Sequence, residues 1–124
     1  MILCDTNILI EFYKNNPEIN AVLRSAGHTN LAVSIITQAE LYFGALNKNE
    51  LESIQRHLAL ITCIQVSESI SHRFIRLMES YSLSHKLAIP DALIAATAIE
   101  NELALYTLNR RDFRFIQNLQ LFEP

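Results

Sequence analysis

The chain has 124 residues, 50% hydrophobic and 19% charged, with two glycines, three prolines and a formal charge of −3. That is enough apolar material for one domain with a real core, and it excludes disordered, collagen-like and linker-rich chains. The negative balance argues against a protein that coats nucleic acid through bulk charge, but not against a nuclease whose acids are offset by metal.

Cys4 and Cys63 lie in short apolar runs without CxxC or metal-ligand spacing, so they read as reduced core residues. Asp5 and Glu11 interrupt the amino end, and no signal peptide is expected. The most apolar window, residues 87–99, is too short to cross a bilayer and contains Asp91. The expectation is a cytoplasmic protein with no membrane partner, forming a single domain over residues 1–124.

In chain order, Met1 to Cys4 predicts a buried strand that stops at Asp5-Thr6-Asn7, three good helix-capping residues. Ile8 to Lys14 predicts a short helix, and Pro17-Glu18 opens a second that stops at Gly27. Leu31 to Ser34 predicts the next strand, followed by a helix from Thr37 to Leu46. Leu51, Ile54, Leu58 and Ile61 mark an amphipathic helix, and Thr62 to Val66 a third strand. Ile70, Phe74, Leu77, Met78 and Tyr81 share one helical stripe. Pro90 to Glu102 is apolar on nearly every side, which predicts a buried helix. Leu103 to Thr107 predicts a fourth strand, Asn109 to Asp112 a polar turn, and Leu119 to Leu121 a last short strand. Alternating strands and helices predict an α/β fold with a mostly parallel sheet covered on both faces. Ligands bind such sheets beyond the carboxyl ends of the strands, where strand order reverses.

Acids fall at that predicted mouth. Asp5 follows the first strand, where helix capping is the simpler role, although three capping residues are more than a cap needs. Thr37-x-x-Glu40 fits a capping box, so spacing alone gives Glu40 a structural role. Asp91 sits in the first turn of the buried helix, where the dipole favours a negative charge. Asp112 lies in the turn with Asn109 after the fourth strand. Gathered at one mouth, these carboxylates repel one another, and a hard divalent cation relieves that cost. Oxygen-only ligation suits Mg²⁺ or Mn²⁺, ions that activate water and stabilise charge on phosphate. Arg110, Arg111 and Arg114 lie beside the site, as a clamp for a phosphate backbone or as a solvated basic turn. His28, His57, His72 and His85 have no zinc spacing, and His57 and His72 are expected on the surface.

Four segments together look familiar: Leu3 to Asn7; Thr37 to Leu41 with Gly44; Pro90 to Ala98; and Thr107 to Phe113. In this order and spacing the chain resembles the PIN-domain family, and within it the VapC-type toxins of toxin–antitoxin pairs. The resemblance implies a PIN-like three-layer sandwich and a Mg²⁺- or Mn²⁺-dependent endoribonuclease centre. It places the family's acids on Asp5, Glu40 and Asp91, as catalytic metal ligands. At the fourth position this chain has Asn109, which contributes a carbonyl oxygen or orients water, or else Asp112 supplies the charge as a ligand. Thr6 and Thr107 support the site through their hydroxyls. The resemblance also implies an RNA substrate, a cognate antitoxin whose tail crosses the groove, and a homodimer. Phe12, Tyr13, Tyr42 and Phe43 are candidates for partner contact, with core packing the commoner role for aromatics on an apolar face. The competing readings are a housekeeping PIN nuclease, a catalytically silent PIN-fold binding protein and, weakest, phospho-aspartate chemistry at Asp5.

Overall fold

In a computed structural model covering residues 1–124, four short strands form one sheet: β1 (Ile2–Cys4), β2 (Leu31–Ser34), β3 (Thr62–Ile64) and β4 (Ala104–Tyr106). Their order is β3-β2-β1-β4, and every pair is parallel. Six helices connect them: α1 (Thr6–Tyr13), α2 (Pro17–Ala26), α3 (Ile35–Phe43), α4 (Lys48–Leu58), α5 (Glu68–His85) and α6 (Ile89–Glu100). The expected α/β sandwich is observed. The predicted last strand is reduced to one parallel bridge between Leu121 and Leu105.

The period-2 alternation of strand side chains sorts the apolar residues into two cores. Leu3, Ala32, Ile64 and Leu105 face one side and pack with α5, α6 and the C-terminal segment, including Leu77, Ile94 and Phe113. Cys4, Leu31, Val33, Cys63 and Tyr106 face the other and pack with α1 to α4 through Ile8, Leu23, Leu41 and Leu58. Each fully buried Leu or Ile contributes about 1.5–3 kcal/mol, so both layers are needed to fix the sheet. Helix α6 is buried along Ala92 and residues 94–98, as its composition predicts. Its alanines bring the backbone close to the sheet.

The chain steps outward from β1 to β2 to β3, then returns to place β4 on the other side of β1. The reversal lies between β1 and β4, whose carboxyl ends carry Asp5 and Thr107. This is the position where parallel sheets open a ligand crevice.

Three local expectations are corrected. Helix α3 starts at Ile35 and ends at Phe43, because Ser34 rather than Thr37 is its N-cap; the Ser34 hydroxyl accepts from the Thr37 amide at 3.2 Å. Phe43 is 94% exposed, so the core reading fails for it, whereas Phe12, Tyr13 and Tyr42 pack against the second core. His57 is half-buried rather than on the surface: its Nδ1 is 2.8 Å from the Tyr13 hydroxyl, and its ring stacks on Phe12. Burial, with His28 nearby, pushes its pKa down. His72 is exposed as expected.

Candidate active site

Asp5 ends β1 and caps α1, and it is 5% exposed. Its Oδ1 accepts from the Thr6 amide at 2.8 Å and its Oδ2 from the Thr107 hydroxyl at 2.7 Å. That hydroxyl also accepts from the Asn109 amide at 3.0 Å. The turn after β4 is therefore fastened to the end of β1 through one carboxylate. A second tie is Asn7, whose Oδ1 accepts from the Leu108 amide at 3.3 Å.

Glu40 makes no capping-box contact, because Ser34 caps α3 and the Glu40 side chain meets Thr6 instead. The Thr6 hydroxyl donates to its Oε1 at 2.7 Å and lies 3.0 Å from Thr37 Oγ1. Thr6 has one proton to give, and the carboxylate takes it, so the Thr37 hydroxyl is the donor in the second contact. Thr6 thus links two acids, its amide to Asp5 and its side chain to Glu40.

Asp91 lies in the first turn of α6, after Pro90, on a helix whose N-cap, Ala88, offers no side-chain bond. Asp112 lies in the 3₁₀ turn Arg110–Asp112 and is exposed, as is Asn109. Neither Asp5, Glu40, Asp91 nor Asp112 has a Lys, Arg or His partner within ion-pair distance; the three pairs in the molecule lie elsewhere. The electrostatic result is direct. Burial raises the Asp91 pKa to about 6, with Asp5, Asp112 and Glu40 adding to the rise. Burial raises that of Asp5 as well, the bonds from Thr107 and Thr6 oppose it, and Glu40 and Asp112 reinforce it. The α6 dipole contributes about 0.3–1 kcal/mol in favour of an ionised Asp91, too little to offset burial among like charges.

The donors are all oxygens, the chemistry of a hard divalent cation. No three His, Cys, Asp or Glu side chains converge on one point at ligating distance. A cation held here would therefore keep part of its water shell, as Mg²⁺ commonly does.

The two arginines assigned to phosphate part ways. Arg110 is occupied by the Glu123 carboxylate and the Phe122 carbonyl. Arg111 lines a cleft of about 350 Å³ together with Asp91 and Asp112. A wider groove of about 480 Å³ between α2 and the last residues shares none of the acids and is lined mostly by apolar groups. Sequence reasoning did not single out Ser34, Thr37 or Asn7 as site-building residues. The signal available for Asn7 was its place in the capping triplet, and its partner 101 residues away is invisible in sequence.

Two stability results follow. An Asp91 carboxyl with a folded pKa near 6 favours the folded state while protonated, and that contribution is lost as pH rises from about 4 through 6. After allowance for solvent screening, Asp91→Asn is expected to be more stable than wild type by about 1–2 kcal/mol at pH 7.5 without metal, and by little at pH 4. Urea melts at the two pH values check this. Thr107→Val removes a donor from buried Asp5 and is expected to cost about 1–3 kcal/mol at neutral pH, more than at pH 4.

With this geometry in hand, the relatives are informative. The PIN-domain profile matches residues 2–118. The ribonuclease VapC10 of Mycobacterium tuberculosis is 34% identical over 122 residues, spanning 97% of this chain and 91% of that protein. Among solved structures, a toxin–antitoxin complex from Klebsiella pneumoniae superposes with a TM-score of 0.82 at 33% identity, over 100% of both chains. VapBC-1 from nontypeable Haemophilus influenzae superposes with a TM-score of 0.83 at 27% identity, over 99% of this chain and 98% of that one. The sheet order, the acids at its switch point and these likenesses agree: the chain belongs to the PIN-domain family, in its VapC-type branch.

Proposed function

We propose that this protein is a metal-dependent endoribonuclease, the toxin of a toxin–antitoxin pair, and that Asp5, Glu40 and Asp91 are its catalytic acids. The observation that carries the reading is a set of four carboxylates without a cationic partner, two of them pushed up in pKa, at the carboxyl ends of β1 and β4. The likeness to VapC10, named a ribonuclease, supports RNA as substrate.

Asp5, Glu40, Asp91 and Asp112 would hold Mg²⁺ or Mn²⁺, directly or through its waters, and the ion when bound supplies a nucleophilic water and charge neutralisation at the scissile phosphate. Thr107 and Thr6 hold the Asp5 and Glu40 carboxylates in place, and the Asn109 amide fixes the Thr107 hydroxyl. Asn109 serves as a backbone anchor, and Asp112 supplies the fourth charge. Arg111 is positioned to meet a phosphate from the cleft wall. Arg110, engaged by Glu123, shapes the turn that carries it.

Solved relatives are toxin–antitoxin complexes, which supports a cognate antitoxin as the protein partner. Phe43, the last residue of α3, and Leu46 just beyond it, 94% and 86% exposed, offer it apolar contact. Exposed Ile75, Leu83 and Ile89 on and around α5 and α6 support a homodimer. No helix is long and apolar enough to cross a membrane, in keeping with action in the cytoplasm.

The test is incubation of antitoxin-free protein with a mixed RNA pool in Mg²⁺, Mn²⁺ or EDTA. Cleavage in the metal arms and none in EDTA is expected. Equal cleavage in EDTA would sink metal dependence, and folded protein that neither cleaves nor binds either metal would sink the nuclease reading.

A further inference from the structure

The cleft beside Asp91 has a second wall that the acids do not explain. His85 ends α5, is exposed, and stacks on Phe115 with ring centroids 4.0 Å apart and planes 10° from parallel. Phe115 is backed edge-on by Tyr81 at 5.2 Å, and the Tyr81 hydroxyl accepts from the Gln117 amide at 3.0 Å. The Ser84 hydroxyl lies 2.7 Å from His85 Nδ1 and fixes the imidazole's rotation. Tyr81 also meets the imidazole edge-on, with centroids 5.7 Å apart, so the His85 ring is held by Phe115 and Tyr81 while the residue itself stays exposed to the cleft.

Two cations share this cleft, Lys86 and Arg111, and neither is in an ion pair although Asp91 and Asp112 line the same space. Lys86 adopts a left-handed conformation, φ 54° and ψ 42°, which closes α5. Few residues other than glycine and asparagine are held this way unless the surroundings require it. The volume, about 350 Å³, is at the lower end of the range for small-ligand pockets and suits a single nucleotide unit.

We infer that His85, backed by Phe115, is a stacking platform for one unpaired base of the RNA, with Lys86 and Arg111 receiving the adjoining phosphate. This rests on the ribonuclease reading and adds to it the way a substrate is seated beside the acids. A flat ring, a backing ring and unpaired cations are the parts that single-strand recognition uses, because every base offers a π-face and every linkage a charge. A duplex buries those faces in its own stack, so the platform selects a single-stranded segment at the cleavage site. His85 acts here as a positioning residue. Its exposure leaves the core untouched by substitution.

The experiment measures binding of a short fluorescein-labelled single-stranded RNA containing all four bases, to Asp5→Asn protein in Mg²⁺. The base is removed at each position in turn. In the His85-intact protein, loss of one particular base is expected to weaken binding about tenfold, while loss of the others has little effect. Adding His85→Ala is expected to weaken the intact RNA by a similar factor and to abolish sensitivity to that base, and His85→Trp to restore both. A merely structural role would weaken every RNA equally and leave the position profile intact. An unchanged affinity and profile in His85→Ala overturns the platform. Wild-type cleavage of a mixed RNA pool, measured in parallel, separates the two readings: cleavage with an unchanged profile removes only the platform, whereas neither cleavage nor binding removes both.

Discussion

Replacing Asp5 with asparagine is expected to lower RNA cleavage by about 10²- to 10³-fold while raising the melting temperature of the metal-free protein. The two effects have one cause. Asp5 is 5% exposed, and burial together with Glu40 and Asp112 makes its negative charge unfavourable in the folded state. Asparagine has the same shape. Its carbonyl can accept from the Thr6 amide, and its amide can donate to the Thr107 hydroxyl, so the bonds joining β1 to the turn after β4 survive. What disappears is the charge, which costs stability in the empty site and is the reason a cation would bind there. A stabilised, folded and inactive variant is the signature of a site whose strain serves function. Cleavage rates and thermal melts on the same preparations check it. A variant that unfolds, or one that cleaves at the wild-type rate, contradicts the assignment.

The largest loss of stability is expected at Phe113. It is fully buried, packs in the core shared by β1, β4 and α6, and directly follows the turn Arg110–Asp112. Its amide donates to the Arg110 carbonyl at 3.1 Å, and its carbonyl accepts from the Ile116 amide at 3.0 Å. The ring is thus the anchor by which an otherwise exposed turn is held against the sheet. Phe113→Ala should cost about 3–5 kcal/mol, the range for emptying a fully packed aromatic site. Against a typical domain stability of about 5–15 kcal/mol, that is a large fraction of the whole. Phe113→Leu fills most of the space and should cost about 1–1.5 kcal/mol. Urea midpoints for the two variants test the ranking. Cleavage by Phe113→Leu should also fall, because Arg111 and Asp112 ride on the segment that the ring holds.

The sequence was legible where the apolar period was long. The stripe on α5, the buried α6 and the four strands follow from side-chain spacing, and their parallel arrangement from the alternation of strand and helix. Asp5 and Asp91 were legible because an acid beside a buried element needs a reason. The capping-box reading of Thr37 and Glu40 failed because Ser34 and Thr37 are both competent N-caps, and the choice depends on where β2 ends. Once Ser34 caps the helix, Thr37 and Glu40 are interior residues on the face toward Thr6, and the local motif gives way to a contact across 34 positions. His57 and Phe43 failed in opposite directions. A helix surface that looks polar in sequence acquired a tertiary partner in Tyr13, and an aromatic that looks like core lies beyond the last turn of contact. Arg110 and Arg111 are neighbours with identical chemistry, and only the position of Glu123 at the end of the chain separates their roles. The platform at His85 and Phe115 joins residues 30 apart that show no common pattern.

The central claim is that these acids bind a divalent cation, which relieves their mutual repulsion. Calorimetric titration of Mn²⁺ into wild type, Asp5→Asn and Asp91→Asn at pH 7.5 tests it most directly. The expected result is saturable binding to wild type that weakens at least tenfold in each variant, with a rise in melting temperature that tracks occupancy. Equal Mn²⁺ affinity in all three proteins, or no binding to any of them, would contradict the account.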